Sequence, residues 1–444
     1  MVPPETPAPV LRRIRRARAA AISALLCLGL ILPLADLIVP LDPSPVLEER
    51  RGLAPPPKTP GSWAEVLAWP AAFEKYYNDH FGFRRFLIRG FGAIKVLVLR
   101  SSPFEATGES RLIEDAPRGE TDLERMYPPV VLGRDGWMFY GEYMMADFRG
   151  LVGMQYPEML QWEKHIEDRQ DWLRRRGIAY LFVAVPDKQT VYPEYVPEHI
   201  ARYRDRTRLD RLMTHLARRP DLHILDLRPV LMEARKHHQI YWRTDTHWND
   251  RGCMAAYNAI MDRLEALLPG VPRLGPEDFV ETHAVGDGGN LALLCAIPDL
   301  LREPGTALWP RVWERVQMTN DALRPERARQ PVASNYPDGA DAGVVIFRDS
   351  FTTPLIKFFS ATFRRVAYYH FTEFDTAIIE AEKPRLVLDI ISEANISRGV
   401  PPNPEDVVTT GVASWSAGRE TLSPAETRRF QQARDRFLAA HPDR

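Results

Sequence analysis

Apolar residues run without a break from Ala19 to Ala35, stop at Asp36, and resume at Leu37, Ile38 and Val39 before Pro40. A run of roughly 17 to 20 residues is enough to cross the hydrocarbon core of a bilayer. Arg12, Arg13, Arg15, Arg16 and Arg18 precede it, which predicts a single-pass transmembrane helix with its N-terminus in the cytoplasm. The length of the run, and the lack of a small-x-small cleavage site after it, favour a retained anchor over a removed signal peptide. Residues 41–62 are polar and Pro-rich and read as a semi-rigid spacer. Across residues 63–100, Phe86, Leu87, Ile88, Phe91, Ile94, Leu97 and Leu99 recur at helical spacing among basic residues. Packing on its own domain is the default for such an amphipathic stripe. Lying on a bilayer or meeting a membrane partner are the alternatives.

From Val130 the pattern changes to short apolar runs separated by amphipathic stretches. VVLGRDGWMFYG places β-type residues around an Arg134-Asp135-Gly136 turn and predicts a small hairpin. Strands are expected at Ile178–Val185, His223–Leu227, Gly343–Phe347 and Leu386–Ile391. Helices are expected at Gln161–Arg175, Thr207–Ala217, Asp250–Leu268 and Leu355–Phe363. This alternation predicts an α/β fold with a mainly parallel sheet covered on both faces. Ser423-Pro424-Ala425-Glu426 opens a polar C-terminal helix with a capping box. The expected organisation is a basic tail and anchor over 1–40, a spacer and juxtamembrane region over 41–125, the α/β domain over 126–400, and a tail over 401–444.

Composition alters this picture little. In 444 residues, 58 Lys+Arg against 59 Asp+Glu leave a net charge of -1, so nothing points to a nucleic-acid partner. Of the three cysteines, Cys27 falls in the apolar run, leaving Cys253 and Cys295 as either a disulfide or two buried thiols. No Cys/His spacing of a zinc site occurs, and no cofactor is called for.

Four segments carry candidate chemistry. AGVVIF runs into Arg348-Asp349-Ser350-Phe351 and then TTPLIKFF, a strand, turn and helix of the kind that exposes a nucleophile at a sheet edge. Ser350 is therefore a candidate nucleophile, although Asp349 or Ser350 can equally cap the helix. YWRTDTHWND sets Asp245 two residues before His247. That spacing lets the carboxylate orient an imidazole acting as general base, while a structural histidine or a metal ligand set with His237 and His238 are the alternatives. VPDKQTVYPEYVP follows a strand and brings Asp187, Lys188 and Tyr192 toward the same edge. Lys188 and Tyr192 are expected to contact substrate there, with a solvated loop as the plain alternative. GDGGNLALL offers Asn290 and a Gly-rich turn as donors to an oxyanion or a substrate.

Together, NDHFGFR (78–84), LGRDGWMFY (132–140), VPDKQTVYPEYVP (185–197), TDTHWND (244–250), VGDGGNL (285–291) and FRDSF (347–351) resemble the alginate O-acetyltransferase family of SGNH hydrolase-like proteins, the AlgJ/AlgX type. The resemblance spans about residues 45–395. It implies an SGNH hydrolase-like fold in which the Asp-x-His pair precedes the serine, the reverse of ordinary SGNH hydrolases, with catalytic roles falling on Asp245, His247 and Ser350. Arg348 stands where the usual nucleophile motif has glycine, and is expected to shape the mouth of the site or bind an anionic sugar. The family's activity implies an acetyl-enzyme on Ser350 and acetylation of a secreted polysaccharide in the periplasm. It also implies a membrane-bound O-acyltransferase partner that supplies acetyl groups across the inner membrane. A carbohydrate esterase and a non-catalytic polysaccharide-binding scaffold of an export complex are the rival functions.

Overall fold

The computed structural model describes residues 53–103, 127–151, 153–200, 206–319, 332–370, 374–404 and 407, with 16–24, 27, 31, 35, 36 and 39. The spacer residues 41–52, much of the apolar run and the C-terminal segment opening at Ser423 lie outside them. Among the described residues no helix is long and apolar enough to cross a membrane. The chain divides into a smaller unit, Met1–Pro103 with Ala292–Leu300, and a larger one holding the rest.

In the smaller unit the amphipathic stretch forms two α-helices, Trp63–His80 and Arg84–Ala93, the second continued by a π-helical turn at Ile94–Val98. The Ser62 hydroxyl accepts from the Glu65 N–H and caps the first helix. Phe83, at φ 58, turns the chain between them. Arg89 donates to the Ala296 carbonyl and to both oxygens of Asp299, each at 2.9 Å. Gly92 approaches so close that an added Cβ would lie 2.2 Å from the Cys295 carbonyl oxygen. This packing covers one side of the stripe; Phe86, Leu87, Phe91, Ile94 and Leu97 stay about half exposed.

The larger unit is built on strands β1 (Val130–Leu132), β2 (Met138–Tyr140), β3 (Ala179–Val185), β4 (Ile224–Asp226), β5 (Phe279–Gly286), β6 (Glu303–Pro310), β7 (Gln317–Thr319), β8 (Val332–Asn335), β9 (Ala340–Arg348), β10 (Phe363–Tyr369) and β11 (Leu386–Ser392). Seven form one sheet in the order β4-β3-β11-β9-β10-β8-β7. Its pairings from β4 to β10 are parallel, and β8 and β7 add antiparallel at one edge. The sheet is thus mixed, with a parallel centre. β1 and β2 form the expected hairpin, and β5 and β6 form a second one.

Side chains of the central strands alternate between two buried clusters, the period-2 signature of a sheet covered on both faces. Leu181, Val183, Val344, Ile346, Leu388 and Ile390 meet Ala256, Tyr257 and Ile260 of helix Asp250–Leu267. Tyr180, Phe182, Val345, Phe347 and Val387 meet Trp162, Trp172, Leu209 and Leu212, from helices Tyr156–Arg174 and Arg208–Leu216. The helix expected at Leu355–Phe363 is shorter. A 3-10 turn, Ser350–Leu355, leads into helix Ile356–Ser360, and Phe363 already begins β10. Pro354 lies inside that turn and lacks the N–H that a regular helix would need.

One ion pair is enclosed in the second cluster. Arg169 Nη1 donates to Asp389 Oδ2 at 2.6 Å, with both side chains at 0% exposure. The Tyr180 hydroxyl donates to the same oxygen at 2.6 Å. Removing one partner strands the other charge in a medium that solvates it poorly. Arg169→Met should therefore lower the unfolding free energy by about 3–5 kcal/mol in a urea titration. The double change Arg169→Met/Asp389→Leu should recover much of that loss.

Candidate active site

Strands β3, β9 and β11 are adjacent and parallel, so the segments leaving their C-terminal ends converge on one edge. β9 ends at Arg348, and Asp349 caps the following turn by accepting the Phe351 N–H at 3.0 Å. The other Asp349 oxygen accepts the Ser392 N–H at 2.7 Å and the Asn395 side-chain amide at 2.8 Å. The turn after β9 is thereby tied to the turn after β11, and Ser350 is left exposed between them.

The Asp245–His247 loop arrives from outside the sheet and is pinned at both ends. Tyr241 and Trp248 pair as an isolated antiparallel bridge. The Tyr241 hydroxyl donates to the Pro186 carbonyl at 2.6 Å, and Trp248 Nε1 donates to the Phe351 carbonyl at 2.8 Å. Asn249 then caps helix Asp250–Leu267 through the N–H groups of Arg251 and Gly252. Between these pins, His247 Nδ1 lies 2.7 Å from Asp245 Oδ1 and Nε2 lies 2.8 Å from Ser350 Oγ. Asp245 also accepts the N–H groups of His247 at 2.9 Å and Asn290 at 2.7 Å. Burial opposes the Asp245 charge, but the hydrogen bonds from His247 and Asn290 outweigh it and hold the carboxyl below its usual range.

The remaining sequence candidates lie elsewhere than expected. Asn290 accepts the Thr246 N–H at 2.9 Å and hydroxyl at 3.1 Å through Oδ1, so it braces the loop. Lys188 does not face an open cleft: at 1% exposure its ammonium donates to the carbonyls of Trp242, Arg243 and Asp245. Tyr192 is buried against Trp137, with ring centroids 4.4 Å apart, and its hydroxyl accepts the Ile240 N–H. Arg348 is buried too, donating from Nη1 to the Asp349 carbonyl at 3.1 Å and the Thr353 hydroxyl at 2.9 Å. All three side chains are buried and make their hydrogen bonds within the protein. Cys253 and Cys295 are free buried thiols.

Two acidic features escaped the sequence reading. Glu303, opening β6, accepts the N–H groups of Arg243 at 2.9 Å and Thr244 at 3.1 Å, together with the Thr244 hydroxyl. Behind the edge, Asp187, Glu393 and Asp147 form a buried carboxylate cluster. Glu393 accepts the Asp187 N–H at 3.0 Å and the hydroxyls of Thr190 at 2.7 Å and Thr207 at 2.9 Å. Burial and mutual repulsion push Asp187 well up, and push Asp147 up to about 7. Glu393 is raised by burial as well. No periodicity announces either feature, because each depends on loops meeting across the fold.

A serine, an imidazole and a carboxylate in hydrogen-bonded series, at the C-terminal edge of a parallel sheet core, accord with an SGNH hydrolase-like α/β protein. The family described as "SGNH hydrolase-like domain, acetyltransferase AlgX" matches residues 130–336. Over 153 residues the chain is 31% identical to the "Probable alginate O-acetylase AlgJ" of Pseudomonas putida, covering 33% of this chain and 37% of that one. Over 126 residues it is 32% identical to the Pseudomonas aeruginosa protein of the same name, covering 28% and 30%. The chain thus spans about a third of the length of these curated relatives. Among solved structures it is similar to Bacillus cereus PatB1 (TM-score 0.45, 15% identity, covering 60% of this chain and 96% of that one). It is also similar to the O-acetyltransferase domain of Pseudomonas putida AlgJ (TM-score 0.41, 17% identity, 69% and 100% coverage). The family match over residues 130–336 and the curated relatives support the resemblance of this region to the AlgJ/AlgX-type SGNH hydrolase-like proteins.

Two outcomes follow from the site. An added Cβ on Gly289 would lie 2.4 Å from Asp245 Oδ2, so Gly289→Ala should displace the carboxylate. The downfield Nδ1 proton resonance of His247 would then shift or vanish. The raised pKa of Asp147 means that the folded state holds a proton the unfolded chain releases. Its contribution to stability is full below the unfolded value near 4 and is lost as pH rises through about 7. Asp147→Asn should therefore gain in Tm relative to the unsubstituted protein between pH 5 and pH 8, in paired thermal melts.

Proposed function

We propose that this protein is a serine-dependent O-acetyltransferase that modifies hydroxyl groups of a polysaccharide outside the inner membrane. The observation that carries the reading is the single imidazole bridging Asp245 and Ser350 at 2.7 and 2.8 Å. In the first step His247 Nε2 takes the Ser350 Oγ proton as Oγ bonds to the acetyl carbonyl carbon. The proton then passes from Nε2 to the leaving group as the donor's bond breaks, giving an acetyl-enzyme. A sugar hydroxyl, deprotonated by the same Nε2, attacks that ester and returns Ser350. Asp245 holds the imidazole with Nδ1–H toward itself and stabilises the imidazolium formed in each step.

The oxyanion of each step needs donors near Ser350. The Phe351 N–H is already taken by Asp349 Oδ1 and the Thr352 N–H approaches the Asp349 carbonyl at 3.4 Å. The Ser350 N–H and the Asn290 side-chain amide are assigned that task, since Asn290 is fixed through Oδ1. The names of the curated relatives make alginate the first acceptor to try. A membrane-bound O-acyltransferase is the proposed acetyl supplier, and the apolar run Ala19–Ala35 the proposed inner-membrane anchor.

The test uses the chain from residue 41 onward with a chromogenic acetyl ester and deacetylated alginate. Ser350→Ala and His247→Ala should each lower kcat by about 10⁴-fold or more, and the double variant should lose little beyond either single one. Acetyl on the sugar marks a transferase, and release to water alone marks an esterase. If Ser350→Ala and the unsubstituted protein were equally inactive and both bound polysaccharide, a scaffold would be the correct reading.

A further inference from the structure

We propose that Lys188 is a positioning residue for this reaction, its ammonium clamping the backbone of the Asp245–His247 loop so that the carboxylate and imidazole are aimed at Ser350. The inference rests on the reading of Ser350 as the nucleophile. Lys188 Nζ donates to the carbonyl oxygens of Trp242 at 3.1 Å, Arg243 at 3.1 Å and Asp245 at 2.6 Å. An ammonium has three N–H bonds, and three acceptors satisfy it completely.

Glu303 completes the clamp from the other side. The peptide joining Trp242 to Arg243 points its carbonyl at Lys188 and its N–H at Glu303. The peptide joining Arg243 to Thr244 does the same. Two successive peptide groups therefore lie between a buried cation and a buried anion, each dipole aligned with the field. Turning either plane over would set a carbonyl against the carboxylate and an N–H against the ammonium. The third contact, to the Asp245 carbonyl, fixes the backbone of the residue whose side chain holds His247. Thr244, gripped by Glu303, also accepts the Gly289 N–H at 2.9 Å, beside the Asn290 N–H that binds Asp245. Charged groups thus grip the two peptides from Trp242 to Thr244 and the Asp245 carbonyl, while the Thr244 carbonyl between them accepts the Leu291 N–H at 3.0 Å.

The arrangement depends on Lys188 keeping its proton. A neutral amine has two N–H bonds and a lone pair, so one of the three carbonyls would face a lone pair. The charged groups that face Lys188 are Asp245 and Glu303, both favouring the ammonium. The β1–β2 hairpin presents only the rings of Trp137 and Phe139, at 5.8 and 5.3 Å. Burial outweighs the carboxylates and pulls Lys188 down to about 7. The clamp is therefore cationic below that pH and loosens above it.

The experiment compares the unsubstituted protein, Lys188→Met and Glu303→Gln over pH 6 to 9.5, with acetyl-ester turnover and the His247 Nδ1 proton resonance as separate readouts. The unsubstituted protein should lose kcat as pH rises through about 7, with KM nearly constant. Glu303→Gln removes an anion that favours the ammonium, so its decline should begin at lower pH, which can be read even if Lys188→Met does not fold. Folded Lys188→Met should lose about 100-fold in kcat, the scale for a misplaced catalytic group, with no remaining alkaline decline. A flat kcat profile, or Lys188→Met within threefold of the unsubstituted protein, would overturn the inference. Failure of the nucleophile reading would instead appear as unchanged activity in Ser350→Ala. The clamp would then still be read by loss of the His247 Nδ1 resonance in Lys188→Met.

Discussion

The hydrogen bond between His247 Nε2 and Ser350 Oγ joins residues 103 apart in sequence, and it can persist only if both loops are fixed before they meet. A serine hydroxyl contributes about 1 kcal/mol in such a bond, too little to hold two mobile segments together against their conformational entropy. The rigidity comes from elsewhere. Asp349 ties the Ser350 turn to the end of β11, and Trp248 Nε1 ties the histidine loop to the carbonyl of Phe351. His247 and Phe351 lie with ring centroids 4.9 Å apart, so the imidazole is also held by a side chain adjacent to its hydrogen-bond partner. The contact at the centre is weak, and its geometry is inherited from the stronger contacts around it.

Three of the groups that stiffen this edge share one device: a buried acidic or basic side chain satisfied by backbone groups of the loops around it. Asp349 takes the N–H groups of Phe351 and Ser392, Glu303 those of Arg243 and Thr244, and Lys188 three carbonyls. A neutral partner would make weaker bonds, and charge-assisted ones are roughly twice as strong. Each ionised group nonetheless costs desolvation energy, and the cost shows where charges of one sign collect. Burial raises the pKa values of Asp187, Asp147 and Glu393, and for Asp187 and Asp147 repulsion within the cluster adds to it. The fold tolerates that cluster because Glu393 anchors the segment after β3 through the Asp187 N–H and the Thr190 hydroxyl.

What the sequence made legible follows from range. β3, β9 and β11 announce themselves as apolar runs of the right length, because burial on both faces leaves no room for polar positions. The β5–β6 hairpin gave no such signal, since β5 is exposed along nearly its whole length and shows no buried alternation. Glu303 was missed with it. β10, reading Phe-Arg-Arg-Val-Ala-Tyr-Tyr, is absent from the expected strands, its first residue Phe363 falling at the end of an expected helix and its arginines masking the apolar face. Asp245 and His247 could be paired locally from their two-residue spacing. Joining them to Ser350 needed family resemblance, because no local rule spans that distance. Sequence offers Lys188 as a substrate contact or a solvated loop lysine and does not announce its burial, which depends on carbonyls up to 57 residues away.

Arg348 shows how a departure from a motif can be absorbed inward. Glycine at the end of β9 would leave the turn around Ser350 free to bend, and would leave the Asp349 carbonyl and Thr353 hydroxyl without the donors they have here. Arginine fills that space with a side chain that is 3% exposed, and burial lowers its pKa. Its Nη1 contacts bracket Ser350 from the residue before it to the third residue after it, bracing the turn without occupying its outer face. Ser350 accordingly remains exposed although its neighbours Asp349 and Phe351 are buried. Its observed contacts bear on how stiffly the Ser350 turn is held. Lys188 and Tyr192 are turned inward in the same way, their polar atoms engaged with backbone groups of the same edge.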